Sequence, residues 1–453
     1  MQITQDKKRN LFIKSYGCQM NEYDSERMIE ILEKHNYSSV DEPNQADLII
    51  LNTCHIREKA AEKIYSELGR LKKINLNSER DIKVAVAGCV GQAEGHEIIK
   101  RSPIVDLVFG PLTYHQLPEM LEEIESKPGS PNKKLVNIDV PDEDKFLELK
   151  GSRKNLKSIS SLLSIQEGCD KFCSFCVVPY TRGVEISRPA KQIISEAKEL
   201  IGIGAKEIIL LGQNVNAYSY KNYKLSNLIL EIEKLSKVKR IRYTTSHPND
   251  MTADLIEIYK NSKKLMPLIH LPVQSGSNKI LKFMNRKHSI NEYLRIFDKL
   301  KQINSNIEFS SDFIIGYPGE DDQDFRDTLN LIKRVNFINS YSFIFSPRPG
   351  TVAENLKLID RKISIERLKK IQNLLSENQN RTHKSLENQT MDVLVENLTD
   401  DKTRTFGRSE HMIPVIFNGK KDDIGKIVKV KITQSTRNSL FGELINISNK
   451  KVA

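Results

Sequence analysis

Short apolar runs alternate with amphipathic stretches over residues 11–125. The apolar runs predict four strands, at 11–16, 48–51, 83–87 and 105–109. The stretches after them carry apolar residues at helical spacing and predict helices at 25–35, 57–73, 95–101 and 114–124. Because parallel strands need crossover connections, this alternation predicts a parallel sheet covered by helices on both faces.

The same alternation returns at residue 156, after a stretch at 127–155 that contains Pro, Gly, Lys and an acidic patch at 142–144. That stretch is predicted to be a linker or a surface excursion. Six more strands are predicted, at 162–166, 207–211, 240–244, 268–271, 308–314 and 340–345, with helical patterns such as 190–203 and 322–335 between them. Six such units predict an open, partial version of the eight-stranded β/α barrel, with function at the carboxyl ends of its strands.

The pattern changes again near the carboxyl terminus. A charged amphipathic helix at 363–380 is predicted to close the barrel. Beyond residue 389, short alternating runs predict strands at 391–396, 405–407, 412–416, 427–433 and 441–447. Runs of this kind, separated by turn residues, favour a small antiparallel β-barrel. The chain is thus predicted to be an α/β protein with three domains, at 10–126, 155–385 and 388–450.

Composition narrows the class of protein further. The net charge of +11 favours a polyanionic partner, with RNA or DNA first, although a generally basic protein would carry the same charge. The polar start of the chain lacks the apolar core of a signal peptide, and no run approaches the length of a membrane span. A cytoplasmic protein without a membrane partner is expected. Its six cysteines favour metal or redox chemistry over disulfides.

Three of the cysteines stand in the segment 168–176, directly after the first predicted strand of the barrel. Cys169, Cys173 and Cys176 have C-x3-C-x2-C spacing. Structural zinc sites usually have four Cys or His ligands, so this loop fits zinc poorly. A cubic iron–sulfur cluster fits better, with three irons held by protein and one open to a substrate or cofactor. The alternative is three incidental core cysteines, which rarely crowd so closely.

The other three cysteines each follow a predicted strand of the first sheet. Cys18 follows the first strand, Cys54 the second and Cys89 the third. In a parallel sheet, the carboxyl ends of the strands lie along one edge, and ligands bind outside that edge. The three cysteines are therefore predicted to converge, with adjacent glycines allowing backbone to lie close to a bulky ligand. The alternative is three unrelated thiols.

The spacing C-x-x-x-C-x-Phe-C resembles the signature of the radical S-adenosylmethionine enzymes. The resemblance implies that Cys169, Cys173 and Cys176 ligate a [4Fe–4S] cluster. It also implies that the open iron of this cluster chelates S-adenosylmethionine and that Phe175 lies near the adenine. Reductive cleavage of the cofactor would then yield a 5′-deoxyadenosyl radical, with the electron supplied by a separate donor.

Within that superfamily, residues 11–447 as a whole are similar to the methylthiotransferases. This resemblance implies an N-terminal methylthiotransferase domain, a radical S-adenosylmethionine barrel and a C-terminal TRAM domain. It implies that Cys18, Cys54 and Cys89 hold a second, auxiliary [4Fe–4S] cluster, which delivers a methylated sulfur to the activated carbon. The two clusters would then face one another across the substrate, with the first sheet docked over the barrel mouth.

The family has three main branches, which modify N6-isopentenyladenosine in tRNA, threonylcarbamoyladenosine in tRNA and an aspartate of a ribosomal protein. Segments 16–25, 176–183 and 211–218 are similar to the first branch. This similarity predicts methylthiolation of C2 of N6-(dimethylallyl)adenosine at position 37, in the anticodon loop of tRNA, by a monomeric enzyme. The alternatives are the ribosomal-protein branch and a non-enzymatic iron–sulfur protein that binds RNA.

Further candidate contacts of S-adenosylmethionine lie near the ends of the second and fifth barrel strands: Gly212, Gln213, Asp312 and Gly316. Packing and turn formation are the alternative roles for these residues. Arg182 and Arg188 could meet tRNA phosphate, the cofactor carboxylate or a surface ion-pair partner. Basic residues of the C-terminal barrel suggest an RNA grip, with a structural cap as the alternative. No catalytic residue beyond the cluster ligands is assigned.

Overall fold

The computed structural model describes residues 8–55, 58–76, 81–125, 133–140, 146 and 158–445. Several predicted features lie outside these residues. They are the polar start of the chain, the first residue of the helix predicted at 57–73, the acidic patch at 142–144 with most of the predicted linker, and the end of the last predicted strand. In the described part of the chain, no helix has the length and apolarity needed to cross a membrane.

The first domain is the predicted parallel sheet with helices on both faces. Its strands are β1 Arg9–Tyr16, β2 Tyr37–Ser39, β3 Leu48–Thr53, β4 Lys83–Ala87, β5 Leu107–Phe109 and β6 Leu135–Asn137. They lie in the order β2-β1-β3-β4-β5-β6, and every neighbouring pair is parallel. The helices are α1 Gln19–Glu33, α2 Glu58–Leu76, α3 Cys89–Glu94, α4 His96–Arg101 and α5 Leu117–Glu125. Two strands, β2 and β6, were not predicted, and β6 lies within the predicted linker.

Alternate side chains of the central strand build two separate cores. Ile50 of β3 packs with α1 and α5 on one face, whereas Ile49 and Leu51 pack with α2 on the other. Every residue of β3 is buried. Burying each Ile or Leu side chain stabilises the fold by about 1.5–3 kcal/mol, so a short all-apolar strand suffices to fix the centre of the sheet.

The second domain is the predicted open barrel. Its strands are β7 Ser160–Ser164, β8 Gln166–Glu167, β9 Ile186–Ser187, β10 Glu207–Leu211, β11 Ser219–Tyr220, β12 Tyr223–Lys224, β13 Arg240–Thr244, β14 Leu268–His270, β15 Glu308–Ser310, β16 Asp312–Ile315 and β17 Tyr341–Ile344. Its helices are α6 Val178–Arg182, α7 Ala190–Gly202, α8 Leu225–Glu233, α9 Ala253–Asn261, α10 Asn278–Phe283, α11 Ile290–Ile303, α12 Asp322–Val335 and α13 Arg361–Ser385. Parallel pairs join β7 to β10, β10 to β13, β14 to β15 and β16 to β17. Among the described strands, no pairing joins β7 to β17.

The fifth predicted barrel strand, 308–314, is broken into β15 and β16 at Ser311. The Ser311 backbone N–H donates to the Ser340 hydroxyl at 3.0 Å, and the Ser311 hydroxyl accepts from the Val273 N–H at 3.0 Å. These side-chain bonds replace ladder bonds at this residue. β15 therefore pairs with β14, whereas β16 pairs with β17.

The C-terminal barrel has five strands, β18 Thr390–Leu398, β19 Thr405–Arg408, β20 Pro414–Asn418, β21 Ile427–Ser435 and β22 Leu440–Leu444. It closes in the order β18-β19-β20-β22-β21. Four pairings are antiparallel, as predicted, but β20 and β22 pair in parallel. A closed ring with an odd number of strands cannot alternate in direction all the way round, so one parallel pairing is required.

The C-terminal barrel docks at the amino ends of the larger barrel's strands. The guanidinium of Arg240, the first residue of β13, donates to the carbonyl oxygens of Arg408 at 2.7 Å, Ser409 at 3.1 Å and Asp392 at 2.8 Å. Arg242 donates to the Glu410 carbonyl oxygen at 2.8 Å. The C-terminal barrel therefore closes the end of the larger barrel that lies opposite the carboxyl ends of the strands.

Arg240→Met is expected to lower the free energy of unfolding by about 3 kcal/mol, because it leaves buried carbonyl oxygens of the C-terminal barrel without a donor. Urea unfolding of the full chain measures this effect. Lys239→Met is the matched control, since the Lys239 side chain is exposed and only its backbone N–H is bonded, to Lys206. Equal midpoints for the two variants would contradict the docking role of Arg240.

Candidate functional site

The structure brings the first three cysteines together at one edge of the first sheet. Cys18 follows β1, Cys54 follows β3 and Cys89 begins α3 after β4, and these three strands are neighbours. The chain order reverses between β1 and β3, which is the switch point where open α/β sheets bind ligands. The convergence expected from the sequence is confirmed.

Direct contacts hold these three thiols in a group. The Cys54 thiol is hydrogen bonded to both Cys18 and Cys89. Cys54 also donates its backbone N–H to the Tyr16 carbonyl oxygen at 2.9 Å. Gly17 has a φ of +130°, and a Cβ atom on it would lie 2.3 Å from Cys54 Cβ. Only glycine lets the two loops approach so closely.

The surroundings of Cys18 and Cys89 favour the thiolate form of their side chains. The hydrogen bond from Cys54 lowers the pKa of Cys18 to about 7, and the Arg182 guanidinium contributes. The same two causes hold the pKa of Cys89 well below its usual value, whereas its two thiol neighbours raise the pKa of Cys54. Thiolates are the form in which cysteine binds metal, so this chemistry fits a thiolate-ligated group.

The second cysteine group occupies the loop after β8, at the carboxyl ends of the barrel strands. Several bonds clamp this loop. The Gly168 N–H donates to Gln213 Oε1 at 2.7 Å, and the Cys169 N–H donates to the Gly183 carbonyl oxygen at 3.3 Å. The Ser174 N–H donates to the Met284 carbonyl oxygen at 3.1 Å. The loop is therefore fixed from three directions.

All three thiols of this loop are half-buried. Burial raises the pKa of Cys169 to about 11 and that of Cys176 to about 12. Arg286 Nη1 lies 3.5 Å from the Cys173 sulfur and places a positive charge beside this loop. The raised pKa values keep Cys169 and Cys176 protonated near neutral pH, and a bound metal cluster would supply the positive charge that ionises them.

The residues expected to contact S-adenosylmethionine each make contacts within the barrel itself. Phe175 packs against a buried cluster that includes Tyr317 and Phe345. Gly212 lies against the Gln166 side chain, where a Cβ would be 2.5 Å from its Oε1. Asp312 faces His270 at 3.6 Å, and the Gly316 N–H donates to Glu320 at 3.1 Å beneath Ser364.

Buried polar groups near the same strand ends lack partners. In the described part of the chain, His247 Nε2, Arg286 Nε, Ser246 Oγ and both ring nitrogens of His288 make no hydrogen bond. The His247 and His288 rings meet edge to face at 5.6 Å. Burial and Arg286 lower the pKa of His288 to about 3 and lower that of His247 as well, so both imidazoles are neutral. Such unsatisfied donors and acceptors fit a polar cofactor with carboxylate, amino and ribose groups.

His288 and Arg286 were not identified from the sequence. They stand after α10, far along the chain from the cysteine loop, and nothing in the local sequence places them near it. His247 follows the predicted strand at 240–244, but no feature of the sequence assigned it a role. Its ring is fixed because Asn216 exchanges two hydrogen bonds with the His247 backbone, at 2.8 and 2.9 Å.

Across the described residues, no group of three His, Cys, Asp or Glu side chains is arranged to hold a single metal ion. A cubic cluster places its ligands farther apart than one ion does, because each thiolate binds a different iron.

The two cysteine groups face one another. Helix α6 begins two residues after Cys176, and Arg182 at its end donates from Nε to the Cys89 sulfur at 3.4 Å. At 1.5 Å of rise per residue, α6 spans roughly 8 Å. Met20 and Tyr23 of α1 also pack on the inward-facing Leu162 and Ile209 of the barrel. The first sheet is thus docked over the barrel mouth, as expected.

Arg182 and Arg188 are both buried, with exposures of 3% and 5%. Arg182 pairs with Asp24 and Glu167, and Arg188 pairs with Glu196 at 2.7 Å. The ion pairs expected as one alternative are therefore present, but they are buried instead of lying at the surface, so neither guanidinium is accessible to tRNA phosphate. Buried guanidinium groups of this kind join elements of the protein.

Comparison with known proteins places this geometry in a family. Three family models match the chain: uncharacterized protein family UPF0004 at 10–110, the radical SAM superfamily at 163–332 and the TRAM domain at 384–445. The chain is 56% identical over 450 residues to the tRNA-2-methylthio-N(6)-dimethylallyladenosine synthase of Pelagibacter ubique, covering 98% of this chain and 100% of that protein. The chain belongs to this family of methylthiotransferases.

Other synthases of the family are nearly as similar. The Cereibacter sphaeroides protein is 48% identical over 435 residues, covering 96% of this chain and 98% of that protein. The solved structure of the radical S-adenosylmethionine methyltransferase TsrM from Kitasatospora setae has a TM-score of 0.57 and 12% identity, covering 76% of this chain and 75% of that one. At that identity the likeness concerns the fold alone. The family brings S-adenosylmethionine and [4Fe–4S] clusters as its cofactors.

Proposed function

We propose that this methylthiotransferase modifies C2 of N6-(dimethylallyl)adenosine at position 37 of tRNA. The relatives that carry the corresponding name align with nearly the whole chain. The observation that carries the proposal is that two cysteine groups from separate domains converge on either side of α6. The reaction requires activation of a C–H bond and delivery of a methylthio group, and two groups of ligands match these two tasks.

Cys169, Cys173 and Cys176 are proposed to hold one [4Fe–4S] cluster, and Cys18, Cys54 and Cys89 the other. When bound, the clusters and S-adenosylmethionine supply radical and sulfur chemistry that amino-acid side chains cannot perform. The chain's own contribution is to fix the ligand loops, to exclude water and to orient the cofactor and the base.

His247 is proposed to orient S-adenosylmethionine. Its Nδ1 accepts from the Asn249 N–H at 3.2 Å, so the neutral ring carries its proton on Nε2. That buried N–H donor has no acceptor in the described part of the chain. A polar atom of the cofactor would satisfy it, and Arg286 Nε is proposed to bind a second polar atom in the same way.

Two exposed aromatic rings beside the cysteine loop are proposed to contact the target base. Phe172 is 51% exposed and Phe283 is 49% exposed. Their backbones are held in place, because Asn285 donates to the Phe172 carbonyl oxygen at 2.8 Å and Ser174 donates to that of Phe283 at 2.9 Å. Single-stranded bases bind to proteins by stacking on such rings.

The C-terminal barrel is proposed to bind the tRNA backbone. It carries several exposed basic residues, namely Lys402, Arg404, Lys420, Lys421 and Lys426. Phosphate contacts of this kind strengthen binding without reading sequence. We further propose a monomer that acts in the cytoplasm and receives its electrons from a separate donor, because reductive cleavage consumes one electron.

Mass spectrometry of tRNA nucleosides from cells with and without the gene tests the proposed function. Loss of 2-methylthio-N6-(dimethylallyl)adenosine, with accumulation of its unthiolated precursor, is expected. An unchanged level of that nucleoside would refute the substrate assignment. The methylthio group would then be sought on threonylcarbamoyladenosine and on ribosomal protein, which are the substrates of the two other branches.

Gly168→Ala is expected to remove about half of the bound iron, that of one of two clusters. Gly168 has a φ of +75°, and a Cβ on it would lie 1.8 Å from the Val184 carbonyl oxygen, so the cysteine loop must shift. Iron analysis of the reconstituted protein measures this loss. Gly202→Ala is the control, because a Cβ there meets no atom within 4 Å. Full iron content in both variants would contradict the proposed role of the loop.

A further inference from the structure

We infer that Arg182 is a positioning residue that ties the N-terminal cysteine group to the barrel and tunes the reduction potential of the cluster held there. The inference rests on the proposed function, since it takes Cys89 as a cluster ligand. It assigns to Arg182 a role other than binding tRNA or S-adenosylmethionine.

Arg182 is surrounded by groups from three different elements. Its Nη2 donates to Asp24 of α1 at 2.7 Å, and its Nη1 donates to Glu167 of β8 at 2.8 Å. Its Nε lies 3.4 Å from the sulfur of Cys89, at the start of α3. One planar guanidinium therefore uses all three of its nitrogens, each on a different partner.

The burial of this group makes the arrangement specific. The side chains of Arg182, Asp24 and Glu167 are only 3%, 2% and 3% exposed. A buried charge that loses its partner is strongly destabilising, so the two carboxylates fix the position of the guanidinium. Asp24 belongs to the first domain and Glu167 to the barrel, so the same cation also fixes how the domains meet.

The hydrogen bond from Arg182 to the Cys89 sulfur is the contact that would act on the cluster. Hydrogen bonds to the sulfurs of an iron–sulfur cluster are among the features that set its reduction potential. A cationic N–H donor stabilises the more electron-rich, reduced state and so raises that potential. Arg182 supplies such a hydrogen bond from the barrel to the sulfur of Cys89.

The Arg182→Lys variant tests whether a positive charge at this position is enough, or whether the three contacts of the guanidinium are needed. Lysine keeps the positive charge between Asp24 and Glu167, but a single ammonium cannot reproduce the three-way fork of arginine. Arg188→Lys is the matched control. Arg188 is similarly buried and pairs with Glu196 at 2.7 Å and with the Ser164 carbonyl oxygen at 3.1 Å, and its hydrogen bonds within the described part of the chain do not include a cysteine.

The experiment is a potentiometric titration of the enzyme with both clusters, followed by electron paramagnetic resonance. In Arg182→Lys we expect the potential of the N-terminal cluster to become more negative, that of the central cluster to stay unchanged, and Arg188→Lys to shift neither. Unshifted potentials in Arg182→Lys, or equal shifts in both variants, would overturn the inference. If Arg182→Lys does not fold, the R182Q/D24N double variant removes one charge of each sign and is titrated in its place.

A separate measurement distinguishes failure of this inference from failure of the proposed function. Replacement of Cys18, Cys54 and Cys89 by alanine must remove the N-terminal signal from the titration. If that signal persists, the ligand assignment fails, and the inference about Arg182 fails with it. If that signal is lost but Arg182→Lys leaves the potential unchanged, only the inference about Arg182 fails.

Discussion

Replacing Cys169, Cys173 and Cys176 together by alanine is expected to reduce cleavage of S-adenosylmethionine, and formation of the methylthiolated product, to the background of the assay. The chain has six cysteines, and the other three lie beyond α6 in the first domain. No thiol is therefore left in the loop after β8 to bind the central cluster. The measurement is 5′-deoxyadenosine formed under a strong reductant.

Iron content provides the control for that variant. About half of the iron of the wild-type enzyme should remain, because the N-terminal cysteine group is untouched. The bonds that clamp the loop are made by backbone groups, such as the Gly168 N–H to Gln213, so the fold should survive the substitution. Cleavage of S-adenosylmethionine by a folded triple variant would refute the assignment of the central ligands.

The sequence predicted the elements that are buried on both faces. The strands β4, β10 and β13 have the predicted bounds, 83–87, 207–211 and 240–244. Apolar residues fill most positions of β4 and β10, whereas in β13 Ile241 and Tyr243 alternate with Arg240 and Arg242. The cysteine positions followed from those strands, since all carboxyl ends share one edge of a parallel sheet. The pattern of apolar runs in the sequence was therefore enough to predict that Cys18, Cys54 and Cys89 lie close together.

The outer strands β2 and β6 of the first sheet, and the parallel pairing of β20 with β22, could not be predicted in this way. The residues of β6 are only half-buried, and β2 has one buried residue, so neither carries an apolar run. The parallel pairing of β20 with β22 depends on the number of strands in a closed ring, which no single segment reveals. These strands are defined by their neighbours rather than by their own sequence.

The interior contacts of the site were also missed, for a related reason. Arg182 and Asp24 are 158 positions apart, and their pairing exists only because the first sheet docks on the barrel. An arginine in a polar segment was therefore expected to lie at the surface. The same reason applies to His247, whose Nε2 lacks a partner in the described part of the chain, and to His288, since the burial of both rings depends on packing among separate strand ends.

Replacing Cys18, Cys54 and Cys89 together by alanine should have a different effect from the central triple substitution. We expect 5′-deoxyadenosine to be formed still, while methylthiolated tRNA falls to background. The reason is physical separation, because these cysteines lie on three loops of the first sheet and the loop of the central group is held by barrel residues. Arg182 keeps both of its carboxylate partners in this variant, so the domains should remain docked.

Both products can be measured in one reaction, with 5′-deoxyadenosine by chromatography and the modified nucleoside by mass spectrometry. The central triple variant is the reciprocal control, since it should lose both products. Modified tRNA from the N-terminal variant would mean that the sulfur does not come through the first domain. Loss of 5′-deoxyadenosine in a folded N-terminal variant would instead mean that the two cysteine groups cannot act independently. If the two cysteine groups have separate roles, the N-terminal variant must therefore keep 5′-deoxyadenosine formation and lose only the methylthiolated tRNA.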